Sequence, residues 1–175
     1  MLRLFMMTLV LTLWLPATEL LFSHGTVTAH TEILGDSEID PTTDTIVSKL
    51  RMDNGFTSIR GSVEVSVIAL QSPNKKRDLD MVETMESEKY PIAIYLFQSV
   101  TQANDAYLIQ GALTLHGVTK DVNITATLDE LNNSVKLTGN TSILMTDFGI
   151  EPPTLFFFSV RDQIDLHIDV VFDKL

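Results

Sequence analysis

The feature that most constrains this chain is a period-two alternation of polarity, cleanest in Ile164-Asp165-Leu166-His167-Ile168-Asp169-Val170. A helix, with its period of 3.6 residues, would scatter those apolar side chains around its circumference, whereas an extended strand puts them all on one face. The segment therefore reads as a strand with one buried and one wet face. The same alternation returns at Val63, Val65 and Val67, at Val122, Ile124, Ala126 and Leu128, and at Val135, Leu137, Thr141, Ile143 and Met145. Tyr107, Ile109, Leu113 and Leu115 make another row, with Gly111 in phase, where a curved sheet, a bulge or a ligand can approach the backbone closely. Ile92 to Phe97 is apolar on both faces, and Gln98 beyond it turns Ala93, Tyr95 and Phe97 inward.

Adding Thr26 to Leu34 and Ile46 to Met52 gives about eight strands, the number at which a closed sheet has room for one small ligand. Closure also removes the exposed edges that an open sheet must protect. The expectation is one all-β barrel domain. A single stretch departs from it: in Asp78 to Glu88, Met81, Val82 and Met85 share a helical face without an intervening Gly or Pro. This predicts a short helix across one barrel end, with Tyr90-Pro91 opening the next strand because a residue before proline avoids the α region.

Residues 1–17 read as a signal peptide. Arg3 supplies the positive charge, an unbroken apolar run follows from Leu4 through Leu15, and Pro16-Ala17 offers a small-residue exit. The run is shorter than the roughly 20 residues a membrane-spanning helix needs. A later site at Val27-Thr28-Ala29 would cut into the first strand, so residues 18–175 are taken as the exported domain, with a periplasmic location expected. Removing residues 1–17 takes away only Arg3, leaving 11 basic side chains against 23 acidic ones. Such a field disfavours nucleic acid and anionic surfaces. No cysteine is present, which excludes disulfides, thiolate catalysis and sulfur-ligated zinc.

Several motifs carry chemistry or mimic it. Lys75-Lys76-Arg77-Asp78 precedes the helix: Asp78 is a candidate cap and Arg77 can reach back to a carboxylate, which makes structural pinning the leading reading. The alternative is that Arg77, with Lys75 or Lys76, contacts an anionic head group at the barrel mouth. His116-Gly117 fits a tight turn, with the imidazole bonding that turn. Catalysis by His116 would need a nucleophile or acid beside it, and no elbow motif or paired histidine spacing supplies one. His24, His30, His116 and His167 lack a metal-ligand spacing. Asp147-Phe148-Gly149 reads as a strand-ending turn in which Phe148 plugs the barrel. Phe156-Phe157-Phe158 cannot all face one side of a strand, so core packing for some of them competes with a place at a portal.

Taken together, Lys75-Lys76-Arg77-Asp78-Leu79-Asp80-Met81, Tyr90-Pro91, Gly111 through Lys120 and Asp147-Phe148-Gly149 resemble the YceI-like family, over about Gly25 to Lys174. The resemblance implies an eight-stranded antiparallel lipocalin-like β-barrel with one short helix. It further implies a periplasmic protein whose apolar interior holds a polyisoprenoid or isoprenoid-quinone-like lipid, with no cofactor and no established catalysis. The histidine frequent in the family after the Arg-Asp pair is absent, Asp80 standing before Met81. The inward rows then nominate the ligand contacts: Val63, Val65, Val67, Tyr95, Phe97, Ile109, Leu113, Ile124, Leu128, Ile143, Phe148, Phe156, Ile164, Leu166 and Ile168, with Arg77 as a head-group contact. An enzyme acting on such a lipid and a filled barrel that binds another envelope protein are the competing readings. Oligomeric state is left open, a dimer included.

Overall fold

The computed structural model describes residues 17–34, 36–155 and 157–175. Apart from Ala17, the expected signal peptide lies outside the described residues, as does Phe156. Eight long strands form the barrel: β1 (Thr18–Ile33), β4 (Ile46–Met52), β5 (Arg60–Ser66), β6 (Ile92–Ala103), β7 (Ala106–Leu115), β8 (Val118–Leu131), β9 (Ser134–Leu144) and β12 (Gln163–Lys174). All neighbours are antiparallel, in the order β12-β9-β8-β7-β6-β5-β4-β1, and β1 pairs with β12 from Leu20 opposite Lys174 to His30 opposite Asp165, closing the circle. Two short strands, β2 (Asp36–Ile39) and β3 (Thr42–Thr43), fold back on β1, and a small hairpin pairs β10 (Thr154–Leu155) with β11 (Phe158–Ser159).

Connections at the two ends differ. At the lower end β6–β7 and β8–β9 turn over two residues, with Asn104 and Asn132 at φ of 55° and 41°, a backbone region asparagine tolerates. At the upper end only His116-Gly117 makes a tight turn, both residues at positive φ (52° and 77°), as a two-residue hairpin of this hand requires. The remaining upper connections are long and carry β2, β3, the helix and the β10–β11 hairpin.

Two bulges reset which side chains point inward. The β1–β12 register slips between Phe22 and His24, and the β6–β7 register slips between Phe97 and Ser99. Even-numbered Leu20 and Phe22 therefore give way to odd-numbered Val27, Ala29 and Thr31, while Tyr95 and Phe97 give way to Val100. Opposite the second bulge, Gly111 has a specific steric task. A Cβ there would lie 2.5 Å from the Leu96 carbonyl and 2.5 Å from the Tyr95 ring. The missing side chain lets Tyr95 lie across the barrel, where its hydroxyl donates to the Val122 carbonyl at 2.8 Å and the Ile109 carbonyl at 3.2 Å.

The helix α1 runs from Lys75 to Thr84, three residues earlier than its apolar pattern suggested and ending sooner. Asn74, not Asp78, is its cap: the Asn74 side chain accepts from the amides of Lys76 and Arg77. Asp78 is instead buried in the first turn, accepting from the Ser72 amide at 2.8 Å and the Ser72 hydroxyl at 2.7 Å, with the Lys75 ammonium 3.4 Å away. Burial works to raise its carboxyl, but the two Ser72 bonds and Lys75 outweigh it and hold it below the usual aspartate range.

Two predictions follow from these contacts. Gly111→Ala should destabilise the barrel by about 2–4 kcal/mol, since neither a backbone carbonyl nor a buried phenol ring can yield to the added methyl; urea unfolding measures it. Because Asp78 has a depressed folded-state pKa, its contribution is present in full above the unfolded aspartate pKa and is lost as pH falls from there through the lower folded-state pKa. Asp78→Asn should therefore cost stability at pH 7, with the gap to the parent protein closing below about pH 4. A gap of constant size across that range, measured by urea titrations, would contradict the assignment.

Candidate functional site

The upper half of the barrel encloses a cavity of about 730 Å3, within the range of roughly 300–1,000 Å3 usual for small-molecule sites. Its walls come from alternate residues of the long strands, so the period-two pattern that makes them strands also coats the hollow. Val63, Val65, Val67, Tyr95, Phe97, Leu113, Ile124, Ile143, Ile164, Leu166 and Ile168 all line it. Several of them, including Val63, Val65, Ile164, Leu166 and Ile168, are only half-buried although they point inward. They face empty space where a filled barrel would supply neighbours.

Ile109, Leu128 and Phe148 do not line the cavity and are core residues instead. Ile109 and Leu128 belong with Leu20, Leu50, Val100 and Val135 in the lower half, which is solidly packed. Tyr95 and Phe97 meet edge to face, ring centroids 5.3 Å apart, and Phe97 and Tyr95 contribute to both the cavity wall and the core. Burial pushes the Tyr95 phenol up, well above its ordinary pKa, so at neutral pH it is a neutral donor committed to carbonyls. Phe148 is fully buried beside the upper wall, in the Thr146–Phe148 turn that ends at Gly149 with φ of 71°. It is a core residue of the turn and does not line the hollow.

Beyond Arg77 and the helix across one barrel end, sequence reasoning did not nominate the residues of the mouth. Met81 and Met85 turn the apolar face of α1 into the cavity, and Ile39, Leu70, Pro153 and Val160 complete the rim from the upper connections. The methionines were visible as a helical face, but no local pattern marked Ile39 or Leu70. Phe157 and Phe158 are exposed on the β10–β11 hairpin, Phe157 at 94%, so the core reading fails for both; the flanking Pro153 and Val160 place this hairpin beside the mouth.

Arg77 lies at the mouth and binds Asp36 of β2 through Nη2, with Nη1 near the Glu38 carbonyl. Asp36 in turn accepts from the Glu38 amide at 3.1 Å. That amide first, and the Arg77 charge after it, hold the Asp36 carboxyl below its ordinary value. The guanidinium thus pins β2 to α1 across the opening.

His116 is outside the cavity. Its Nδ1 lies 3.1 Å from the Phe148 carbonyl, its Nε2 lies 3.3 Å from a Glu86 carboxylate oxygen without hydrogen-bond alignment, and the Tyr90 ring packs against it at 4.5 Å. It ties the segment after α1 to two turns, a wider structural job than bonding its own turn. The other histidines are dispersed: His30 faces Asp40 and Glu32, and His167 bonds Asn140. Among the described residues, no group of three or more His, Asp or Glu side chains is placed to hold a metal.

Comparison with known proteins agrees with this geometry. BcnA of Burkholderia cenocepacia matches with a TM-score of 0.74 at 14% identity, covering 84% of this chain and 95% of that one. The Campylobacter jejuni YCEI protein matches with a TM-score of 0.55 at 21% identity, covering 64% and 70%. At such identities the likeness shows the fold. UPF0312 proteins of two Pseudomonas putida strains are 29% identical over 118 residues, 62% of this chain, and the match spans 59% of those relatives' length. The YceI-like domain itself matches residues 19–172; with its lipocalin-like barrel, the chain belongs to the YceI-like family.

Proposed function

We propose that this protein holds one long apolar lipid, of the polyisoprenoid class, inside the upper cavity and acts as a carrier or sequestering protein in the bacterial periplasm. The observation that carries the reading is the cavity: about 730 Å3, walled by aliphatic side chains and the Tyr95 and Phe97 rings. A wall of this kind discriminates by length and shape, because each buried methylene contributes roughly 0.8 kcal/mol wherever it lies. The acidic surface and the candidate signal peptide support an envelope location away from anionic polymers.

The role is read as binding without catalysis. His116, the strongest catalytic candidate in the sequence, is sequestered behind Tyr90 and Phe148, and the buried phenol of Tyr95 is spent on two carbonyls. A filled barrel acting only as an interaction surface fits poorly with half-buried Val65 and Leu166 facing a hollow.

Native mass spectrometry of protein purified without detergent from an envelope fraction should detect a discrete lipid adduct. A ligand-free mass that stays unchanged after exposure to polyprenols would refute the proposal. Ala93→Phe, which projects a ring from β6 into the hollow, should weaken polyprenol binding roughly tenfold or more, equivalent to about 1.4 kcal/mol. Filling a void rather than overpacking a core, it should change unfolding stability by less than about 1.5 kcal/mol.

A further inference from the structure

We infer that the lipid held in this cavity ends in a neutral hydrogen-bond donor, an alcohol, and not in a phosphate or a quinone. The inference rests on the apolar-lipid reading above and concerns the mouth, where a head group must sit once the chain fills the interior.

The charged side chains of the lining are Asp36, Lys76, Arg77, Asp78, Asp80 and Glu83, four carboxylates against two cations. Two of the devices that would recognise a phosphate are already engaged. Arg77 is bound to Asp36, so it cannot present its fork to a second anion without losing the first. The first amides of α1, the other natural anion site, are occupied by the Asn74 side chain. The remaining cation, Lys76, is exposed and stands among four lining carboxylates, which leave the mouth net negative. A phosphate monoester carries nearly two negative charges above pH 7; here it would lose water to sit beside Asp80 and Glu83.

Hydrogen-bond polarity points the same way. The hydroxyls on the cavity wall already donate within the protein: Thr31 to the carbonyls of Arg161 and Gln163, Ser72 to Asp78, Thr84 to the Asp80 carbonyl, Tyr95 to Ile109 and Val122, and Thr141 to the Asn123 carbonyl. Apart from the exposed Lys76, what remains for a ligand is acceptor capacity, concentrated in the exposed carboxylates of Asp80 and Glu83. A quinone offers only acceptors and would find few donors. An alcohol supplies the O–H that these carboxylates lack, without adding charge.

The test compares farnesol, farnesyl monophosphate and a quinone bearing the same three-isoprene tail, by calorimetric titration at pH 8 into the full-length mature protein. Farnesol should bind at least tenfold more tightly than either competitor. In Asp36→Asn, which releases Arg77, the ratio of farnesol to monophosphate affinity should fall several-fold, and an unchanged ratio would overturn the inference; circular dichroism establishes that the variant is folded. Equal or tighter binding of the monophosphate or the quinone by the parent protein overturns the inference and leaves the apolar-lipid reading standing. Failure of all three ligands to bind overturns that reading and the inference with it.

Discussion

The pairing of β1 with β12 is the constraint on which the rest of the molecule depends. These strands come from opposite ends of the chain, and ten residue pairs join them. Left apart, each would present a row of unpaired N–H and C=O groups to solvent. Joined, they give every strand two neighbours and divide the side chains of each into an inside and an outside set. The inside set then has to fill a cylinder whose width is fixed by eight strands, and this chain fills only part of it.

Where the filling stops is decided around Tyr95. Gly111 opens a slot, the bulge at Gln98 sits opposite, and the phenol ring crosses the interior with its hydroxyl satisfied by two backbone carbonyls. A buried hydroxyl without partners would cost on the order of 1–3 kcal/mol; with them, a polar aromatic can stand in an apolar row. Below this level Leu20, Val100, Ile109, Leu128 and Val135 close-pack. Above it the inward side chains are present but do not meet across the barrel. Stability is concentrated in the lower half and the capacity to hold a ligand in the upper half, so that each half can serve one requirement.

Strand-level organisation was legible in the sequence because alternation is a local signal: the rows at Val63–Val67, Ile164–Val170 and Val122–Leu128 all point as their period demands. Depth along the barrel axis was not legible. Leu128 and Ile124 occupy equivalent positions in one row, yet one is core and the other cavity wall, since that outcome depends on what the opposite strands place at the same height. The bulges at Ser23 and Gln98 change inward parity without a composition signal strong enough to announce them. The start of α1 was misjudged because Asp78 is a plausible cap by type, while Asn74 competes for the same role four residues earlier and Asp78 finds partners in Ser72 instead. The Arg77 contact with a carboxylate was foreseeable, but its identity as Asp36 was not, because nothing local links β2 to α1.

The upper boundary of the cavity is built on different physics from its walls. A barrel strand is held along both edges by backbone bonds, whereas α1 is a mostly polar helix that, with Met81 and the following Met85 half-buried against the cavity, is otherwise fastened at its ends. At the start stand the Asn74 cap, the Asp78 bonds to Ser72 and the Arg77 pair with Asp36; beyond the end, Glu86 and Tyr90 contact His116. Elements with little buried apolar contact open locally at lower free energy than the core they cover. Displacing α1 would cost a few polar contacts that water can replace, whereas parting any two barrel strands would break a backbone ladder. The energetic asymmetry makes the α1 side of the cavity easier to open than the β1–β12 closure.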